Sequence, residues 1–80
     1  MKNVVTRLPG FGDRLKAARK SAGLTQQAVA NELGILLRSY QRYEAGMSEP
    51  SLYFLASTAV ILNVSSDYLL GLSDEVRADE

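Results

Sequence analysis

Four glycines, Gly23, Gly34, Gly46 and Gly71, cut the chain at intervals that leave room for short helices and little else. Between them the apolar residues recur at helical spacing, and no stretch alternates apolar and polar residues long enough to read as a strand. Phe11, Leu15, Ala18 and Ala22 follow one another at steps of four, three and four, which predicts a helix over residues 11–22 with that face inward. Thr25 is a good N-cap for a second helix ending near Leu33, with Val29, Ala30 and Leu33 inward. A third helix is expected over residues 37–44, with Tyr40 and Tyr43 on its inner face. A fourth is expected over 51–62, with Leu52, Leu55, Ala56, Ala59 and Leu62 at core spacing. Ser65 caps a short fifth helix over 65–70. Residues 1–10 are expected to form an N-terminal arm, 11–72 the folded domain, and 73–80 an acidic, frayed tail.

Eighty residues make one small domain with a thin core. The chain has no cysteine and no histidine. A disulfide framework, a thiolate metal site and the commonest general base are thereby removed together. No phosphate loop and no paired carboxylates of a catalytic kind stand out, so neither an enzyme nor a bound cofactor or metal is expected. Apolar stretches such as residues 59–62 are far too short to span a bilayer, and residues 1–9 carry no secretory pattern, so a cytoplasmic protein is expected.

The formal net charge is zero, but it is unevenly spread. Residues 1–42 hold eight basic and two acidic side chains, and residues 43–80 hold one basic and seven acidic ones. Such polarity can present a basic face to phosphates, and it is equally compatible with charges that simply decorate solvated surfaces.

The most informative segment is residues 26–43. Two short helices meet there across a tight turn at Gly34, a residue tolerant of positive φ. Ala30 is small enough for close helix contact, and Val29, Leu33, Ile35, Tyr40 and Tyr43 can close the wedge from both sides. The strings FGDRLKAARKSAGLTQQAVA from Phe11, RYEAG from Arg42, EPSL from Glu49 and DYLLGLSD from Asp67 extend the pattern along the chain. Together they resemble the lambda-repressor-like (Cro/Xre) helix-turn-helix family over roughly residues 11–74, in order and without gaps.

That resemblance implies an all-α, five-helix bundle with a central helix-turn-helix that binds double-stranded DNA and regulates transcription as a dimer. It implies that residues 37–44 form the recognition helix, and that Thr25 and Gln26 stand at a helix N-terminus suited to a phosphate. Leu37, Arg38, Ser39, Gln41 and Arg42 correspond to positions facing bases or backbone, with Arg38 or Arg42 suited to guanine and Gln41 or Ser39 to adenine or phosphate. Ser48, with Met47, follows the recognition helix where family members often hold a phosphate by backbone N–H groups. Arg19 and Glu44 match a family ion pair that ties the first helix to the end of the third.

The chain departs from the family pattern in three places. Leu36 stands where a Ser or Thr usually caps the recognition helix, and Leu37 follows where a polar residue is usual; Leu37 can contact a thymine methyl, or both leucines can pack against something else, such as a partner protein. Met47 and Glu49 replace the usual cations of the next loop, which lowers non-specific affinity for DNA. The fourth helix carries a second apolar stripe of Tyr53, Phe54, Val60 and Ile61. With Tyr68 and Leu72 it is expected to form a homodimer interface, unless the fifth helix and the arm residues Val4, Val5 and Leu8 cover it. The competing reading is a protein-interaction module such as an antitoxin or anti-repressor built on the same fold, because fold alone does not decide function.

Overall fold

The computed structural model describes residues 8–76, and over them the chain forms five helices in the order α1 (Phe11–Ser21), α2 (Gln26–Leu33), α3 (Leu37–Glu44), α4 (Leu52–Leu62) and α5 (Ser66–Leu70). The arm residues Val4 and Val5 and the end of the acidic tail, residues 77–80, lie outside the described residues. Each helix begins and ends for local reasons. Thr25, Ser51 and Ser65 sit in extended backbone, and their hydroxyls accept from Ala28, Phe54 and Tyr68 N–H, each at 3.0 Å. These bonds satisfy donors that a helix start leaves without partners.

The core takes Phe11, Leu15 and Ala18 from α1, Val29 and Ala30 from α2, Tyr40 from α3, Phe54 and Leu62 from α4, and Leu69 from α5. Three expected core positions are corrected. Ala22 is the exposed C-cap of α1, one residue beyond the helix that would have turned it inward. In α4 the inward face is Phe54, Thr58 and Leu62, while Leu52 is 83% exposed and Ala56 also faces solvent. The reason is the composition of α4, which has no charged residue and so gives periodicity nothing with which to fix its phase. Packing fixes it instead. The Phe54 ring stacks on Tyr43 at 3.7 Å between centroids, and the Thr58 hydroxyl donates to Phe54 O at 2.9 Å and so can be fully buried.

Phe54 is therefore a core residue, which withdraws it from the expected dimer stripe. Ile61 and Tyr68 are half-buried and pack against the core, whereas Tyr53, Val60 and Leu72 stay exposed. Arg14 closes the α1–α5 side: its Nε donates to Leu69 O at 3.0 Å and its Nη2 to Pro9 O at 3.1 Å. In the acidic tail Glu75 and Val76 are tied back to the α5 cap, where Ser65 N–H donates to Val76 O at 2.7 Å and its hydroxyl to Glu75 O at 3.1 Å.

Candidate nucleic-acid interface

The turn between α2 and α3 is made by Gly34 in the left-handed region, at φ 71°. Gly34 N–H donates to Asn31 O at 3.1 Å and Ile35 N–H to Ala30 O at 3.0 Å, closing the end of α2 while Ile35 packs against the core. Leu36 then takes the N-cap of α3 in extended backbone, without a side-chain cap bond and 73% exposed. At the other end of α3, Gly46 repeats the left-handed stop at φ 76°, and Met47 N–H donates to Arg42 O at 2.9 Å. That N–H is thus spent inside the protein, which corrects the expectation that Met47 offers it to a phosphate.

What seats α3 on the rest of the molecule is the carboxylate of Glu44. Its Oε2 accepts from Arg19 Nε at 2.6 Å and from the Tyr40 hydroxyl at 2.5 Å. Its Oε1 accepts from Arg19 Nη2 at 3.2 Å and from Gln26 Nε2 at 3.0 Å. A carboxylate offers about four acceptor sites, and all are taken. Arg19 also donates to Leu24 O at 2.9 Å, so one guanidinium ties α1, the α1–α2 connection and α3 together. Burial pushes the Glu44 carboxyl up, but the bonds from Arg19, Tyr40 and Gln26 outweigh it and hold the group below the usual carboxylate range. The bond to Glu44 holds the Arg19 guanidinium above its ordinary value, against the effect of burial. Burial, reinforced by the same carboxylate, pushes the Tyr40 phenol up.

Helix α1 packs closely against α3, a contact that the sequence reading missed. Gly12 is buried against the end of α3, where a Cβ would lie 2.9 Å from Tyr43 O and clash with Glu44 O. The available signal was a lone glycine inside an otherwise helical run, which usually has a packing reason.

On the outer side of this assembly the structure gathers most of the residues singled out above. Gln26, half-buried at the first position of α2, accepts at Oε1 from Gln41 Nε2 at 3.1 Å. Arg38, Gln41 and Arg42 are exposed on α3, and Arg38 and Arg42 are one turn apart. Arg42 Nε donates to Ser48 Oγ at 3.3 Å, drawing the next loop to the same side. Thr25 is exposed beside Gln26, and Leu37 is half-buried at the start of α3. Ser39 stands apart: it lines an open groove of about 400 Å³ with Leu33, Ile35, Tyr43 and Tyr53, on the α4 side of α3. Two of the counted cations are absent from this face, since Arg19 is buried and Arg14 is engaged with Leu69 and Pro9.

This arrangement defines a helix-turn-helix protein. Residues 15–69 match the helix-turn-helix family, and the chain belongs to it, in its Cro/Xre, lambda-repressor-like form. The family points to a non-enzymatic protein. Over 60 residues the chain is 48% identical to the SPbeta prophage-derived uncharacterized HTH-type transcriptional regulator YonR of Bacillus subtilis, covering 75% of this chain and 56% of that protein. It is 43% identical over 70 residues to the HTH-type transcriptional regulator ImmR of Bacillus subtilis, covering 88% and 55%. It is 41% identical over 59 residues to the cryptic phage CTXphi transcriptional repressor RstR of Vibrio cholerae, covering 74% and 53%. The chain thus spans little more than half the length of each of these three relatives. Among solved structures, the restriction-modification controller protein C.AhdI of Aeromonas hydrophila superposes with a TM-score of 0.70 at 29% identity, covering 78% of this chain and 94% of that one. No helix among the described residues is long and apolar enough to cross a membrane.

Proposed function

We propose that the chain binds duplex DNA through α3 and regulates transcription in the cytoplasm as a symmetric dimer. One observation carries the reading: the Gln26–Gln41 bond joins the start of α2 to α3 and the Arg42–Ser48 bond joins α3 to the next loop, with Thr25 beside Gln26 and the exposed Arg38 one turn before Arg42. In this reading α3 enters the major groove, where Arg38 and Arg42 donate to guanine O6 and N7. Leu37 borders the bases and Ser39 the groove wall. Thr25 and Gln26 meet a phosphate at the positive end of α2. Residues 11–72 form the binding unit, residues 1–10 an arm and residues 73–80 a tail.

The dimer reading rests on the outer face of α4, where Tyr53 and Val60 are 87% and 80% exposed and Leu52 joins them. Such an uncharged face is a poor surface to leave in water. Leu72, Tyr68 and Ile61 can extend its rim. A two-fold pair would place two recognition helices about 34 Å apart, one turn of duplex.

Selection from random duplex DNA at stated salt tests the reading. The expected product is a pair of related half-sites with that spacing. Arg38→Ala and Arg42→Ala each lower affinity for the selected sequence and relax one base preference. If both variants bind it as well as the parent, α3 is not the reading element.

A further inference from the structure

Helix α5 has five residues, far fewer than a helix needs to persist by itself in water. Of its side chains only Leu69 is fully buried. It is held from outside at both ends. At the C-terminal end Arg14 Nε donates to Leu69 O. At the N-terminal end the tail does the holding. The Ser65 hydroxyl accepts from Tyr68 N–H and donates to Glu75 O, and so works in both directions. The Ser65 N–H has no acceptor within the helix. In a capping box a Glu or Gln three residues on folds back to take such an N–H, but here that position is Tyr68. The backbone carbonyl of Val76 takes its place, at 2.7 Å. Ser73 Oγ accepts from Glu75 N–H at 3.1 Å and shapes the return of the chain. The Val76 side chain lines a groove of about 470 Å³ with Ala18, Leu24, Ile61, Leu62 and Val64, where the ends of α1 and α4 leave apolar surface between them.

We propose that residues 73–76 are a strap that docks and releases as a unit, holding α5 against the bundle and thereby controlling how tightly two chains pair through the α4–α5 side. The control of pairing rests on the dimer reading above. The strap is light. Two hydrogen bonds and one valine that is 44% exposed hold it, so it opens well before the core does. Opening leaves the Ser65 N–H without its acceptor and uncovers the apolar groove. Helix α5 then keeps only its own cap, the Arg14 bond and the packing of its side chains. Tyr68 lies on α5, and Leu72 is fastened to it, since Leu72 N–H donates to Asp67 O at 2.8 Å. Both residues stand on the rim of the proposed pairing surface, so that rim is only as ordered as α5. A loosened α5 must be ordered again at the moment of pairing, and that cost weakens the dimer. The bonds from the tail to the bundle go to Ser65, and the Val76 groove is built from α1, α4 and the residues that follow them. The residues assigned to DNA take no part in either.

Two variants of the full chain release the strap by different routes. Val76→Asp sets a charge against the apolar groove. Ser65→Asp keeps an oxygen to cap α5 but has no hydrogen to give Glu75 O. Glu75→Gln is the control, because it changes the charge of the tail and leaves the backbone carbonyl in place. Amide hydrogen exchange by NMR reads the docking. In the parent the Ser65 amide is expected to be protected, although a helix start gives it no partner. In Val76→Asp that protection is lost and the Leu69 and Leu70 amides exchange about tenfold faster, while those of Leu15 and Val29 in the core are unchanged. Ser65→Asp speeds Leu69 and Leu70 in the same way, and Glu75→Gln behaves as the parent. Sedimentation equilibrium reads the pairing, and the dimer Kd is expected to rise about tenfold in both strap variants and not in the control. An unprotected Ser65 amide in the parent overturns the docked strap. Unchanged α5 exchange in the two variants overturns its hold on α5, and an unchanged Kd beside faster exchange overturns its control of pairing. A parent that is monomeric at every concentration sinks the dimer reading and the control of pairing with it, while the exchange data decide the strap separately.

Discussion

Gly12 runs directly against the backbone carbonyl of Glu44, with no space between them for a methyl group. This contact sets the distance between the first helix and the end of the third, and it works together with the Arg19–Glu44 bonds to hold α3 in place.

Gly12→Ala is expected to destabilise the fold by about 1–3 kcal/mol through overpacking. At an open helical position the same change would stabilise by about 1 kcal/mol. Urea unfolding decides between them, and a midpoint equal to or above that of the parent would remove the close approach as a cause.

Breaking the ion pair from one side should cost more than removing it whole. Glu44→Leu strands a buried guanidinium, and Arg19→Met strands a buried carboxylate; each is expected to lose about 3–5 kcal/mol. The double variant, Arg19→Met with Glu44→Leu, should lie closer to the parent than either single change. Thermal unfolding of the set checks this, and simple additivity would contradict the coupling seen in the bond network.

Acid should weaken the fold through the same carboxylate. The Glu44 pKa is lowered in the folded chain, so its contribution is fully present above the ordinary carboxylate range and is lost as pH falls through the folded value. The unfolding midpoint is therefore expected to be level near neutral pH and to drop below about pH 4.5. In the Arg19→Met, Glu44→Leu double variant the acid limb should be shallower. Identical limbs in parent and double variant would assign the acid sensitivity to other groups.

Leu36 leaves α3 without a side-chain cap, and Leu36→Ser should supply one. The expected gain is about 1 kcal/mol. It would appear as a rise in Tm of about 4–8 °C for a chain of this size. No rise in calorimetry would mean that Leu36 already earns its position through contacts of its own.

Two adjacent residues of α4 should fail in different ways. Tyr53→Glu is expected to leave the fold intact, because Tyr53 is exposed, and to give monomers in sedimentation equilibrium where the parent forms the proposed dimer. Phe54→Ala should instead cost about 3–5 kcal/mol of stability, because Phe54 is stacked in the core. An unchanged mass for Tyr53→Glu would take that residue out of the interface.

Much of the helical framework was legible in the sequence because its punctuation is chemical. Thr25, Ser51 and Ser65 cap, and Gly34, Gly46 and Gly71 stop, so observed boundaries fall within a residue of the expected ones. The phase of α4 was not legible, because Leu52, Phe54 and Val60 are equally apolar and only the Tyr43 ring and the Thr58 hydroxyl choose among them. The Arg19–Glu44 pair could be expected from the resemblance. The role of Gln26 in extending that pair to Gln41 could not, because it depends on an amide reaching across from α2 to α3. Arg14, one of the eight basic residues of the first half, closes α5, a role that charge counting does not reveal.

Glu44 has no acceptor left over, and that limits how such a protein can be retargeted. Arg38, exposed on the outer face, can be exchanged singly as a lineage drifts towards new binding sequences. Gln26 cannot, since any replacement that fails to donate leaves the buried carboxylate one partner short and frees Gln41 at the same time. Positions 26 and 44 must therefore change in concert, and evolutionary exploration of new targets should run first through the exposed side chains of α3.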